Sequence, residues 1–169
     1  SAQERLAATL PGAEVCILTP EAVQGPFYFD PKLVRADIAE GRRGAPLALT
    51  LQVASVKDCA SLKGARVDLW HADGQGMYSG YRGQGDDGVS TRGETFLRGT
   101  QFADADGQVR FATIYPGWYP GRTPHIHFKV FLDAANLVTG QLYFPDDLSA
   151  RIYAGVAPYN DRKAKRDLV

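Results

Sequence analysis

Two of the three histidines in the sequence, His125 and His127, stand one residue apart inside the alternating run RTPHIHFKVF. In an extended strand residues i and i+2 project to the same side, so the two imidazoles point together. Ile126, Phe128, Val130 and Leu132 then form the opposite, core-facing row. Two imidazoles side by side can grip one metal ion. Taken alone, such a pair fits equally well as two polar residues on the wet face of a strand, and the neighbourhood has to decide. Just upstream, YPGWYPGRTP delivers tyrosines on turns shaped by proline and glycine, Tyr119 among them. Further back, LWHADGQGMYSGY ends a strand and enters a loop that carries Tyr78. No carboxylate is conspicuous near the histidine pair.

A donor set of neutral imidazoles and tyrosine oxygens is unusual for zinc, which favours histidine, cysteine and carboxylate. Phenolate is a hard, anionic oxygen donor and suits a hard ferric ion. Ferric iron, two phenolates and one hydroxide sum to zero charge, so such a centre can sit in a low-dielectric interior. Tyrosine ordinarily loses its proton near pH ~10, but coordination to a trivalent cation removes it at neutral pH. A ferrous site built on the histidine pair would need a further histidine and a carboxylate at suitable spacing, and none is evident. His71, in LWHAD, reads as a core histidine or one that supports a ligand. Tyr81 and Tyr115 read as packing aromatics, with Tyr115 the replacement for Tyr119 if the ligand assignment slips by one tyrosine. Trp70 and Trp118 read as core or pocket wall.

The elements that must hold these residues are short strands. Eighteen glycines and ten prolines punctuate the 169 residues, and the segments between them alternate, an all-β signature. LALTLQVASV places Leu47, Leu49, Leu51 and Val53 on one face, and GQVRFATIY places Val109, Phe111 and Thr113 on one face. ARVDLWHAD, HIHFKVFLD and GQLYF add strands, and DADG at 104–107 reads as a hairpin turn rather than a calcium loop. QERLAATL is the one short helix expected. Residues 73–93, rich in glycine and polar side chains, form a long loop of the kind that often carries function. The whole chain reads as one β-sandwich domain with long site loops, an N-terminal arm over 1–18 and a solvated tail over 160–169.

Nineteen basic and nineteen acidic residues cancel, which leaves no electrostatic footprint for nucleic acid or an anionic membrane. No apolar stretch is long enough to span a bilayer. The beginning at a small residue fits a mature exported protein, so a periplasmic or extracellular location is preferred to a cytoplasmic one. Cys16 and Cys59 make no CxxC and could form one disulfide tying the arm to the core; two buried thiols fit nearly as well.

TPEAVQGPFY, LVRADI, GARVDLWHADGQGMYSGY, FLRGTQFADADGQVRFATIYPGWYPGRTPHIHF and QLYF together resemble the intradiol ring-cleavage dioxygenases, which include the catechol and protocatechuate 3,4-dioxygenases. The resemblance implies that Tyr78, Tyr119, His125 and His127 bind a mononuclear, non-haem ferric ion, with Tyr78 and His125 equatorial and Tyr119 and His127 axial. It implies that Arg122 is a catalytic cation beside the metal, that Gln141 is an active-site glutamine, and that Tyr28 in GPFY lines the substrate pocket. The implied reaction inserts both atoms of O2 between the hydroxylated carbons of a catechol to give a cis,cis-muconate-type diacid. Only GR separates PGWYP from TPHIH, shorter than in the better-known members, so one pocket wall must be built differently. The helical dimerisation segment of catechol dioxygenases has no counterpart in the sequence, which leaves oligomeric state open. The competing reading is a non-catalytic β-sandwich module that binds sugar or aromatic ligands.

Overall fold

The computed structural model describes residues 19–166. Six strands form two antiparallel sheets. In the smaller, β1 (Pro46–Gln52) pairs with β4 (Gln108–Ile114). In the larger the spatial order is β3 (Arg98–Phe102), β2 (Arg66–Trp70), β5 (His125–Leu132), β6 (Ala135–Tyr143).

Strand alternation explains how the sheets meet. Val67 and Leu69 of β2 and Ile126, Phe128 and Val130 of β5 point inward and join Val109 and Phe111 of β4 in one buried cluster, with Leu47, Leu49 and Leu51 of β1 packed against it. The apolar faces read from the sequence are therefore the two facing sides of a β-sandwich. The DADG turn is tight, with Asp104 Oδ1 accepting from the backbone N–H groups of Asp106 and Gln108, each at 2.9 Å. It does not close a hairpin, however. β3 belongs to the larger sheet and β4 to the smaller, so the turn carries the chain across the sandwich.

The other face of the larger sheet carries Arg98, Thr100, Asp68, Trp70, His125, His127 and Gln141, all buried although polar or amphipathic. They are covered from above. The extended segment 22–30 bridges to β6, with Ala22 N–H donating to Thr139 O at 3.0 Å, and the long loop folds over the remainder. An alternating strand normally has a solvated side; here that side has been roofed, and a polar interior results.

The end of the chain departs from expectation. Asp146–Gly155 is a helix, α1, with Asp146 and Asp147 in its first turn, where negative charge suits the helix dipole. Leu148, Ile152 and Tyr153 seat it on a cluster of Tyr115, Trp118 and Tyr159. Its apolar residues are few, and among so many strand signals its 3.6-residue period is weak. In the following segment Asn160, Asp161, Lys163 and Lys165 are exposed, but Arg162 folds back onto the domain. The Arg162 guanidinium lies 3.9 Å from the centroid of the Trp118 ring, donates to Trp118 O, and pairs with Asp86 at 2.8 Å. QERLAATL lies outside the described residues, as does Cys16.

Cys59 is disulfide-bonded, and no described cysteine is free. The unreduced, denatured protein should therefore take up no alkylating label and should take up two labels after reduction, read by mass spectrometry; labelling without reductant would contradict the bridge.

Candidate metal centre

His125 and His127 leave β5 on its roofed side and are each 2 % exposed. Across the sheet, register sets their neighbours. His127 stands opposite Trp70 on one side and Gln141 on the other, and Trp70 stands opposite Arg98, so Arg98, Trp70, His127 and Gln141 form one cross-strand row. His125 is held differently, its Nδ1–H donating to Thr123 O at 2.7 Å. That bond leaves Nε2 as a lone pair aimed away from the strand.

Tyr78 meets them from the long loop. Its backbone N–H donates to Gln84 Oε1 at 3.0 Å, and its carbonyl accepts from Thr91 Oγ1 at 2.6 Å. The next residue is clamped too. Arg98 donates from Nε to Ser79 Oγ and from Nη2 to Ser79 O, both at 2.8 Å, while Ser79 Oγ donates to Phe96 O. Phe27 stacks on the Tyr78 ring with centroids 4.6 Å apart. Tyr119 arrives on the short turn Tyr119–Arg122, anchored by Trp118 beneath Arg162 and Tyr153, and is only half-buried.

Four donor atoms converge. Tyr78 Oη lies 3.1 Å from Tyr119 Oη, 3.2 Å from His125 Nε2 and 3.1 Å from His127 Nε2. Tyr119 Oη is 2.8 Å from His125 Nε2, and the two Nε2 atoms are 3.0 Å apart. Five separations of 2.8–3.2 Å among these atoms are the spacing expected of donors that share one small ion at the ~2.0–2.2 Å at which nitrogen and oxygen ligands hold it. Among the described residues no group of three or more His, Cys, Asp or Glu side chains is placed to hold a metal. Phenol oxygens must complete any such set, and that chemistry fits a hard trivalent cation.

The electrostatics agree. Burial pushes His125 down to about 4, with Arg122 adding to the effect, and burial together with His125 pushes His127 down to about 2, so both rings are neutral with lone pairs to donate. Burial raises Tyr78 well above its ordinary value, and burial raises Tyr119 as well. A trivalent cation among them reverses that preference, because its own charge outweighs the desolvation of a phenolate.

Arg122 donates from Nη2 to Gln141 Oε1 at 2.5 Å, and the Tyr143 hydroxyl donates to the same oxygen at 2.9 Å. Gln141 in turn donates from Nε2 to Val23 O at 2.8 Å, so its amide serves to orient Arg122. Arg122 makes no ion pair among the described residues. Tyr28 packs on the same cluster as Trp70 and Tyr78. Its hydroxyl donates to Asp68 Oδ2 at 2.7 Å, and its ring packs on Trp70 with centroids 4.8 Å apart. His71 is a satisfied core histidine, bonded to Ala72 O at 2.8 Å and Thr113 Oγ1 at 2.7 Å. The Tyr115 hydroxyl contacts Ser149 at 2.6 Å in the α1 cluster, away from the four donors. Arg98, Thr91 and Gln84 were not singled out in the sequence; only a lone arginine inside the apolar run FLRGT carried a signal.

A family model described as Dioxygenase matches residues 23–157. The chain is 28% identical over 152 residues to catechol 1,2-dioxygenase 1 of Acinetobacter lwoffii, covering 76% of this chain and 47% of that protein. It is 31% identical over 160 residues to a chlorocatechol 1,2-dioxygenase of Pseudomonas sp. strain P51, covering 81% and 61%. The chain thus spans between about half and three-fifths of the length of these curated relatives. Its structure superposes on an intradiol ring-cleavage dioxygenase from Tetranychus urticae with a TM-score of 0.81 at 35% identity, covering 90% of this chain and 76% of that one.

The Tyr78 clamp gives a direct test. Thr91→Val keeps the shape but leaves the buried carbonyl of Tyr78 without its hydroxyl donor, and should cost about 1–3 kcal/mol in urea unfolding. A cost near zero would show that Thr91 is not part of the clamp.

Proposed function

Since this chain belongs to the intradiol ring-cleavage dioxygenase family, we propose that it is a ferric, non-haem dioxygenase that opens a catechol ring between its two hydroxylated carbons. The overall reaction consumes one O2, breaks one ring carbon–carbon bond and places both oxygen atoms in a cis,cis-muconate-type diacid, so no external reductant is needed. The observation that carries this reading is the convergence of the Tyr78, Tyr119, His125 and His127 donor atoms at 2.8–3.2 Å.

Those four residues would hold the ferric ion, which when bound would activate a chelated catechol toward O2. The chain's own contributions follow from how each residue is anchored. Tyr78, clamped at both its N–H and its C=O, is a fixed donor. Tyr119, half-exposed on a short turn, has the freedom to leave the cluster and accept a proton from an incoming catechol hydroxyl. Arg122, aimed by Gln141 and free of any described carboxylate, keeps its full charge to stabilise negative charge developing on the substrate. Phe27, stacked on Tyr78, keeps water from one side of the donors.

With iron, the protein should be red, because phenolate-to-ferric charge transfer absorbs visible light. Tyr78→Phe should bleach much of that band, whereas Tyr119→Phe should keep charge transfer from Tyr78 but bind catechol more slowly. An iron-loaded protein without colour would return the reading to a non-catalytic β-sandwich binding module, and two variants with unchanged spectra would overturn the ligand set.

Arg122→Leu should retain iron and colour and lose about a hundredfold or more in turnover, the cost of ~3 kcal/mol of transition-state stabilisation. Iron content, visible spectrum and O2 uptake over a panel of substituted catechols measure this. Near-normal turnover would make Arg122 structural.

A further inference from the structure

The two imidazoles are neighbours on one strand, yet they are restrained by different means. His125 has its Nδ1–H on Thr123 O, which fixes both its tautomer and its ring plane. The Nδ1 of His127 is buried and has no hydrogen-bond partner among the described residues. To present a lone pair at Nε2 a neutral imidazole must carry its proton on Nδ1, where for His127 no acceptor waits. Metal-binding histidines are ordinarily oriented by that very bond. Something else has to hold this ring.

What lies against it is Trp70. The two residues are directly opposed in the β2–β5 register, and their rings stack with centroids 4.9 Å apart at an interplanar angle of 5°. Trp70 is itself pinned from behind by the Tyr28 ring at 4.8 Å. Tyr28 is tethered by its hydroxyl to Asp68, which also accepts from Arg66 and from Thr100 Oγ1 at 2.7 Å. At the edge of the imidazole the backbone of Gly25 passes close, its φ of +73° and position such that an added Cβ would lie 3.5 Å from His127 Cε1. The ring is thus bounded by an indole plane and a glycine backbone, with no polar anchor at Nδ1 among the described residues.

We propose that Trp70 is the positioning residue for His127, its indole plane replacing the hydrogen bond that orients His125. This rests on the ferric reading only where it concerns iron; the orientation of the ring is a property of the metal-free protein as well. Because a stacked plane resists tilting but not rotation within the plane, His127 is the more loosely held donor of the pair. Without Trp70 the ring samples several orientations.

The test compares Trp70→Leu, which removes the plane, with Trp70→Phe, which restores one. Leu69→Ala serves as the structural control, since that neighbouring side chain points into the opposite core. In metal-free, histidine-labelled protein, Trp70→Leu should broaden or split the His127 ring resonances and leave those of His125 sharp; Trp70→Phe should keep one sharp set. In ferric protein, Trp70→Leu should lose iron to a chelator ~10–100-fold faster and show more than one ferric electron paramagnetic resonance species. Trp70→Phe should stay within about threefold of the parent in iron release, and Leu69→Ala should lower the Tm without a new ferric species. If the leucine variant does not fold, Trp70→Met, flexible enough to fill the space, makes the same comparison. A sharp, single His127 signal in the leucine or methionine variant, or equal iron loss from Leu69→Ala, overturns the proposal. A parent protein that takes up no ferric ion defeats the iron reading instead, and the metal-free spectra still judge Trp70.

Discussion

The alternation of β5 is the constraint on which the rest of the structure depends. Ile126, Phe128 and Val130 have to enter the sandwich core, and because the side-chain period of a strand is two, His125 and His127 have to leave on the other face together. A one-residue slip in register would bury the imidazoles among leucines and expose the core. Hydrophobic burial on one face of the sheet therefore fixes the geometry of the imidazole pair on the other. The same pairing sets Trp70 and Gln141 beside His127, so three strands contribute to one donor's surroundings.

Roofing that face changes its chemistry. Once the 22–30 segment and the long loop cover it, the imidazoles lose water and become neutral donors, and the phenols resist ionisation until a stronger charge arrives. The buried cation Arg98 belongs to the same interior. Burial lowers it to about 10, which leaves it charged at neutral pH, and among the described residues it has no carboxylate partner, being bonded to Ser79 and lying 4.1 Å from the centroid of the Phe29 ring. Neutral donors near this cation make a site that favours anions.

Rigidity is distributed unevenly among the four donors. Tyr78 and His125 are each fixed by hydrogen bonds to the backbone or from it, whereas Tyr119 rides on a short turn and His127 rests against an indole. The difference lies in the anchoring rather than in the donor chemistry.

Much of this was legible from residues alone. The His-x-His pair, the tyrosines on Pro–Gly turns and the alternating leucines of β1 are local patterns, and local patterns survive in sequence because strand period and turn chemistry act over a few residues. What could not be read is everything decided between distant segments. The DADG turn looked like a hairpin because a turn's chemistry does not say which sheet its second strand joins. The Arg162 side chain looked solvated until Trp118 and Asp86 gave it partners. Tyr28 spends its hydroxyl on Asp68 forty positions away, and Trp70 became a neighbour of His127 only through strand register. The amino-acid sequence by itself determined which donors are available and which way each strand must face, because hydrophobic alternation is a local property; only tertiary packing decided which donors are held tightly and which are free to move, because anchoring depends on partners that meet when the chain is folded.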